Sequence, residues 1–381
     1  MTATSERAGR YVRQPTGYRA FVPAPLPPEP AIAIDAEMQR LLSAADLALG
    51  RLDGSIQTLP DSDHFIAMYV KKEAVLSSQI EGTQASLDDL IRAEADVAAA
   101  KGDVGDVINY IAAMNHGVAR LAEIPLSRRL IREIHERLLD GVRGNASRPG
   151  EVRTSQNWIG PRGSTLADAV FVPPPPGAVD DALGDLEKFW HREDAMPALL
   201  KIGLIHAQFE TIHPFLDGNG RVGRLLIAFY LVSKGLLAKP VLYLSIYLKA
   251  HRDEYYRRLQ SVRDRGDWEG WLKFFLSGVA GVADQATETA RKIVALREGH
   301  RALIARSFGN HAGKGALVLE RLYRRPTTNV NEVKEMLGIG YPNAAALVQK
   351  FVDNAMLFEM TGQARNRVYV YAPYVELFAS L

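Results

Sequence analysis

The 381-residue chain contains no cysteine, which excludes a disulfide framework, thiolate metal sites and a thiol nucleophile in one step. Any catalysis therefore uses oxygen or nitrogen groups. No apolar run approaches the roughly 20 residues needed to cross a bilayer, so no membrane partner is expected. An excess of charge is missing too: 46 Lys and Arg face 44 Asp and Glu, and a formal net charge of +2 is too small to argue for a nucleic-acid partner by itself. The opening residues, MTATSERAGRYVRQ, lack the apolar segment of a secretory signal, which makes the cytoplasm the expected location. Internal repeats and long low-complexity tracts are also absent.

At this length one hydrophobic core is exceeded, so a main domain of roughly 200 to 250 residues plus a smaller unit is expected. Six prolines between Pro15 and Pro30 predict an extended surface arm without regular hydrogen bonding. From Ile34 the apolar spacing becomes helical and stays so for most of the chain. One helix is predicted to stop at Gly82, and Ser86 is placed to cap the next, with Asp88 and Asp89 complementing its positive start. Glycines and prolines then interrupt the pattern, and Val152 to Ile159 with Ala169 to Val172 read as two strands of a loose hairpin, closed by the prolines 173–176. After Gly309, three short helices and an alternating RNRVYVY segment predict a winged helix-turn-helix module. The fold class is mainly α.

The chemistry concentrates in TIHPFLDGNGRVGRLL, Thr211 to Leu226. Pro214 forces the preceding helix to end. Gly218, Asn219 and Gly220 lead into a helix apolar on nearly every face, which marks it as central. Its free N-terminal N–H groups, reached through flexible glycines, make an anion site. Arg221 and Arg224 are three apart on its first turn and emerge beside the same anion, a pair that suits a polyphosphate. Asp217 would repel a bare phosphate, and a divalent cation such as Mg²⁺ bridging carboxylate and phosphate resolves the conflict. His213, with a reference pKa near 6.5, suits a general base. Each feature alone is commonplace; their coincidence within twelve residues, leading into a buried helix, is not. The absence of a Gly-Lys-Ser/Thr sequence excludes a P-loop.

HPFLDGNGRVGR resembles the signature of the Fic (Fido) domain family, His-Pro-Phe-x-Asp/Glu-Gly-Asn-Gly-Arg-x-x-Arg, with no departure, and the likeness extends from the proline-rich arm through SSQIEG and RPGEVRTSQNWIG to the C-terminal module. It implies a protein adenylyltransferase that moves AMP from ATP to a Ser, Thr or Tyr hydroxyl and releases pyrophosphate. By the same likeness His213 deprotonates the hydroxyl, and Asp217 holds Mg²⁺. Gly218, Asn219 and Gly220 bind phosphate oxygens, with Arg221 and Arg224 as clamps. The β-hairpin becomes a flap that pairs with a target protein's extended segment, Asn157, Trp158 and Ile159 lying in it. For the adenine, Tyr247, Tyr255 and Tyr256 are the stacking candidates, Tyr255 foremost. SSQIEG matches an inhibitory motif, Ser/Thr-x-x-x-Glu-Gly/Asn, so the resemblance pairs Glu81 with Arg224, with Ser77 and Gly82 as the rest of the motif.

The implied division is residues 1–68 as arm and N-terminal helices, 69–300 as Fic core and 309–381 as winged helix. Within the core lie the inhibitory helix (about 70–82), the flap (about 152–172) and the signature loop (213–224). Homodimers are common among proteins of this layout. Two other readings stay open: phosphoryl or other phosphate-containing group transfer by the same site, and a DNA-binding regulator acting through residues 310–381. That segment carries eight Lys and Arg against six acids, so counterion release from DNA would be modest. Removal of AMP from targets is a side possibility for Glu81.

Overall fold

The computed structural model describes residues 6–57, 59, 62–95, 103–141, 148–161 and 163–379. Residues 1–5 of the arm and 162 of the flap thus lie outside the described residues, as do 96–102 and 142–147 of the core.

The arm departs from expectation. It forms an antiparallel hairpin of β1 (Gly9–Arg13) and β2 (Arg19–Pro23), with Tyr11 opposite Phe21. The reason lies in where the prolines fall: Thr16 to Val22 is free of them, so every ladder N–H needed by β2 is present, and only its last residue is a proline.

The helical body begins with α1 (Ala36–Gln57), followed by α2 (Ser62–Ile80), α3 (Leu87–Glu94), α4 (Val104–Leu121) and α5 (Arg128–Leu138). At α3 the predicted cap is a full capping box, Ser86 accepting from the Asp89 N–H and Asp89 from the Ser86 N–H. Next come α6 (Pro176–His191), α7 (Ala198–Ile212), α8 (Asn219–Ser233), α9 (Ser245–Ala250) and α10 (Arg252–Arg265). Then α11 (Trp268–Ser307) runs unbroken for 40 residues, about 60 Å, along α1. The α7–α8 pair is the centre: Leu199 to Ile212 and Arg221 to Leu231 are buried without a break. No helix among the described residues is long and apolar enough to cross a membrane.

The predicted flap strands are reduced to one antiparallel bridge, Ile159 to Phe171, with reciprocal N–H···O bonds of 2.8 and 3.0 Å. The rest of the segment spends its polar groups elsewhere: the Arg153 N–H donates to the Pro214 carbonyl, and the Val172 carbonyl accepts from Phe21 in β2. Competition from the core and the arm hairpin therefore unzips the second strand pair.

The C-terminal residues fold as α12 (Ala312–Arg324), β3 (Thr327–Asn329), α13 (Val330–Leu337), α14 (Tyr341–Asp353), β4 (Phe358–Glu359), β5 (Val368–Val370) and α15 (Ala372–Ala379). The antiparallel sheet has order β3-β5-β4. This unit is packed on the body: Phe378 of α15 meets Phe65 and Tyr69 of α2, and the Tyr371 hydroxyl reaches His300 of α11.

Candidate active site

The α7 helix ends at Ile212 as Pro214 requires, and His213 takes a left-handed conformation, φ 49° and ψ 62°. A non-glycine residue there is strained and persists only where its surroundings over-determine it. They do so here. The His213 carbonyl accepts from Arg153 Nε at 2.9 Å and from Asn157 Nδ2 at 3.2 Å. Asn157 Nδ2 also donates to the Phe215 carbonyl, and Asn219 both donates to and accepts from the Phe215 backbone at 2.8 Å. The turn from His213 to Asn219 is thus held by buried side chains.

A third brace comes from α5. His135 lies flat on Phe215, ring centroids 3.8 Å apart. Its Nδ1 accepts from the Gly150 N–H, so the proton sits on Nε2 and is donated to the Asp217 carbonyl at 3.0 Å. Burial drives its pKa down to about 4 and keeps this tautomer neutral.

Gly218 caps α8 at φ 76°, a conformation suited to glycine. The N–H groups of Asn219, Gly220 and Arg221 have no intrahelical partner and face outward at the positive helix end. Gly220 must be glycine for another reason. A Cβ there would lie 2.2 Å from Glu81 Oε1, because the Glu81 carboxylate sits over this first turn.

Glu81 and Ser77 come from the end of α2. The Glu81 N–H turns to the Ser78 carbonyl, and Gly82 follows at φ 98°. The Ser77 carbonyl is thereby left for Arg224, which donates to it through Nη2 (2.9 Å), to Ser77 Oγ through Nε (2.8 Å) and to Glu81 Oε1 through Nη2 (2.7 Å). Burial raises the Glu81 carboxyl, but Arg224 outweighs it, with Arg221 adding to the effect, and the net value falls below the usual carboxylate range.

Arg221 points toward Asp106 of α4 (3.7 Å) and Asp217 (3.9 Å). Asp217 is exposed, its Oδ1 accepting from the Gly218 N–H at 2.6 Å. Among the described residues no cluster of three His, Asp or Glu side chains is placed to hold a metal. One open carboxylate beside an anion seat fits a cation of the Mg²⁺ type, which takes its remaining ligands from phosphates and water.

These groups line a cavity of ≈ 880 Å³, a volume suited to a nucleotide-sized ligand. His213 stands in its wall, its imidazole pushed down to about 4 by burial and then by Arg263, hence neutral and able to accept a proton. Trp158 is exposed at the rim, its Nε1 donating to the Ser164 carbonyl, and Ile159 carries the flap's bridge. Tyr255 borders the cavity but is core: 1% exposed, its hydroxyl on His206 Nε2 at 2.9 Å. Tyr256 is the more open ring, with Arg252 over its face, whereas Tyr247 lies in a different cleft against Gly278.

Sequence reasoning missed Asp106, His135, Glu210 and Arg263, around which the local sequence carries no motif, and gave Arg153, although inside RPGEVRTSQNWIG, no role of its own. Glu210 is 6% exposed with Oε1 lacking a hydrogen-bond partner among the described residues, and burial lifts its carboxyl to about 7.

Residues 39–119 match the Fic/DOC family N-terminal domain and residues 125–231 the Fic/DOC family domain. A probable protein adenylyltransferase of Aquifex aeolicus is 30% identical over 181 residues, 46% of this chain and 52% of that protein. The protein adenylyltransferase Fic of Aedes aegypti is 34% identical over 146 residues, 38% of this chain and 26% of that protein. The match therefore spans about half of the first relative and a quarter of the second. The crystal structure of a Fic family protein from Desulfovibrio desulfuricans G20 shares the fold at 18% identity, with a TM-score of 0.57 over 89% of this chain and 97% of that one. The chain thus carries the N-terminal and main domains of the Fic/DOC family, at residues 39–119 and 125–231.

Proposed function

We propose that this protein is a protein adenylyltransferase, moving AMP from ATP to a Ser, Thr or Tyr hydroxyl of a target protein, itself included, with release of pyrophosphate. The observation that carries this reading is the seat of Glu81. Its carboxylate rests on the first turn of α8 and on Arg224, the place and partners that suit a nucleotide phosphate. A site that needs an internal anion as a stopper is built for an external one, and the restraint on AMP transfer follows from that competition.

In the transfer, neutral His213 takes the proton of the incoming hydroxyl as oxygen attacks the α-phosphorus and pyrophosphate departs. The α8 N–H groups and Arg221 hold the phosphate oxygens, and Arg224 takes the terminal phosphate once Glu81 has withdrawn. Asp217 would hold Mg²⁺ against the phosphates, which adds charge neutralisation there. The rest is positioning and electrostatics. The exposed flap edge with Trp158 receives the target's extended segment, while Asn157 serves the signature loop from beneath.

Labelling with α- and γ-³²P ATP tests the reading, read alongside intact mass. Glu81→Gly is expected to acquire the α label and the mass of one AMP, and His213→Ala to acquire neither. Transfer of the γ label alone would establish phosphoryl transfer instead.

A further inference from the structure

Arg263 on α10 is charged, 5% exposed and assigned no part in the transfer described above. Its guanidinium spans three elements. Nη2 donates to the Glu210 carbonyl at 3.1 Å and Nε to Thr211 Oγ1 at 3.2 Å, so it caps the C-terminal end of α7, where a cation meets the negative end of the helix dipole. Its face lies on the Phe171 ring, 3.8 Å from the centroid, and Phe171 is the residue whose backbone makes the flap's bridge to Ile159. Nη1 is steadied by Gln260 of its own helix. Arg263 also borders the cavity that holds His213.

We propose that Arg263 is the positioning residue of this site: one guanidinium fixes the strained end of α7 that carries His213 and clamps the flap strand that faces it, so base and flap keep one relation.

Several charged groups bear on the His213 ring. Arg263 of α10 and Arg153 of the flap segment favour its neutral form, Glu81 of α2 favours its charged form, and the Glu210 carbonyl of its own helix acts in the same direction as Glu81. Arg263 is the strongest of these charges, and it remains a cation at neutral pH because burial lowers it only to about 10, with Glu210 opposing. Removing that cation lets the imidazole hold its proton to higher pH. Keeping the cation but losing the planar stack leaves the imidazole neutral and frees Phe171.

This rests on the reading of His213 as the base, so the test uses no activity. The full chain carries ¹³C-labelled histidine, His213 is assigned by its loss in His213→Ala, and its ring is titrated by NMR while hydrogen exchange follows the Ile159 and Phe171 amides. In Arg263→Gln the His213 midpoint is expected to rise by about one pH unit, and both amides to exchange about tenfold faster. In Arg263→Lys the midpoint stays and only the exchange accelerates. Phe171→Leu, which leaves Arg263 in place, is expected to match Arg263→Lys. An unmoved midpoint in Arg263→Gln, or unmoved exchange in Arg263→Lys and Phe171→Leu, overturns the proposal. A Glu81→Gly variant that transfers no AMP while these shifts stay intact would instead remove the adenylyltransferase reading.

Discussion

Replacing Glu81 with glycine deletes one carboxylate and leaves Arg224 with two acceptors, Ser77 Oγ and the Ser77 carbonyl. Arg224 is almost wholly buried, its side chain 1% exposed, whereas that of Glu81 is 36% exposed. A hydrogen bond between charged groups contributes about 1.5–3 kcal/mol, and the open side of Glu81 places this pair at the low end through solvent screening. ATP phosphates that displace Glu81 must overcome that amount in the wild type and nothing in the variant. About 1.5–2 kcal/mol corresponds to about 10- to 30-fold tighter nucleotide binding. Titration calorimetry with a non-hydrolysable ATP analogue reads the affinity, and α-³²P ATP reads self-labelling, which should rise at least in proportion. Because Arg224 holds the Glu81 carboxyl below its usual range, the restraint is fully present above that range and is lost only as pH falls through the lowered value. Assays at about pH 6 to 8 therefore see it intact. Equal affinities for wild type and Glu81→Gly, with equal labelling, would refute the competition.

Gly220→Ala separates the stopper from its seat: the new Cβ falls 2.2 Å from Glu81 Oε1 and 3.0 Å from Arg224 Nη1, so Glu81 is displaced while the methyl occupies the phosphate's place, and calorimetry should show no gain in ATP affinity. Asn219→Ala strips both bonds from the Phe215 backbone in a site 2% exposed, costing about 2–4 kcal/mol in chemical denaturation, and His135→Ala should loosen the same loop. Glu210→Gln is expected to stabilise selectively at high pH. A carboxyl raised from 4.5 to about 7 destabilises the fold as pH climbs through that interval, at 1.36 kcal/mol per pH unit about 3 kcal/mol, so denaturation at pH 8 should show the gain and pH 5 almost none. With only two net positive charges in residues 310–381, the full chain should shift duplex DNA weakly and lose it by about 0.2 M salt.

How much of this was legible depends on how far apart in the chain the cooperating groups lie. The signature loop was readable because its base, acid, nest and arginines are contiguous, and Pro214 dictates where α7 must end. Glu81 and Arg224 are 143 residues apart; spacing on α2 shows only that Ser77 and Glu81 share a face, and the family resemblance supplied their partner. His135, Asp106 and Arg263 had no such aid, and for Arg153 the resemblance marked the segment but not the role. Each acts through a backbone carbonyl, a ring face or a neighbouring arginine that tertiary packing alone brings near. Asn157 shows the same limit from the other side: it lies in the flap as read, yet it turns inward to hold His213 and Phe215. The two β errors share a cause. Proline count over Pro15 to Pro30 hid the proline-free run Thr16 to Val22, while alternation at 152–159 hid the stronger claims of Pro214 and His213 on that segment's donors. A strained left-handed histidine explains why those claims win. The chain spends flap, α5 and α10 side chains on the end of α7 because, unsupported, His213 would relax out of the geometry its chemistry requires.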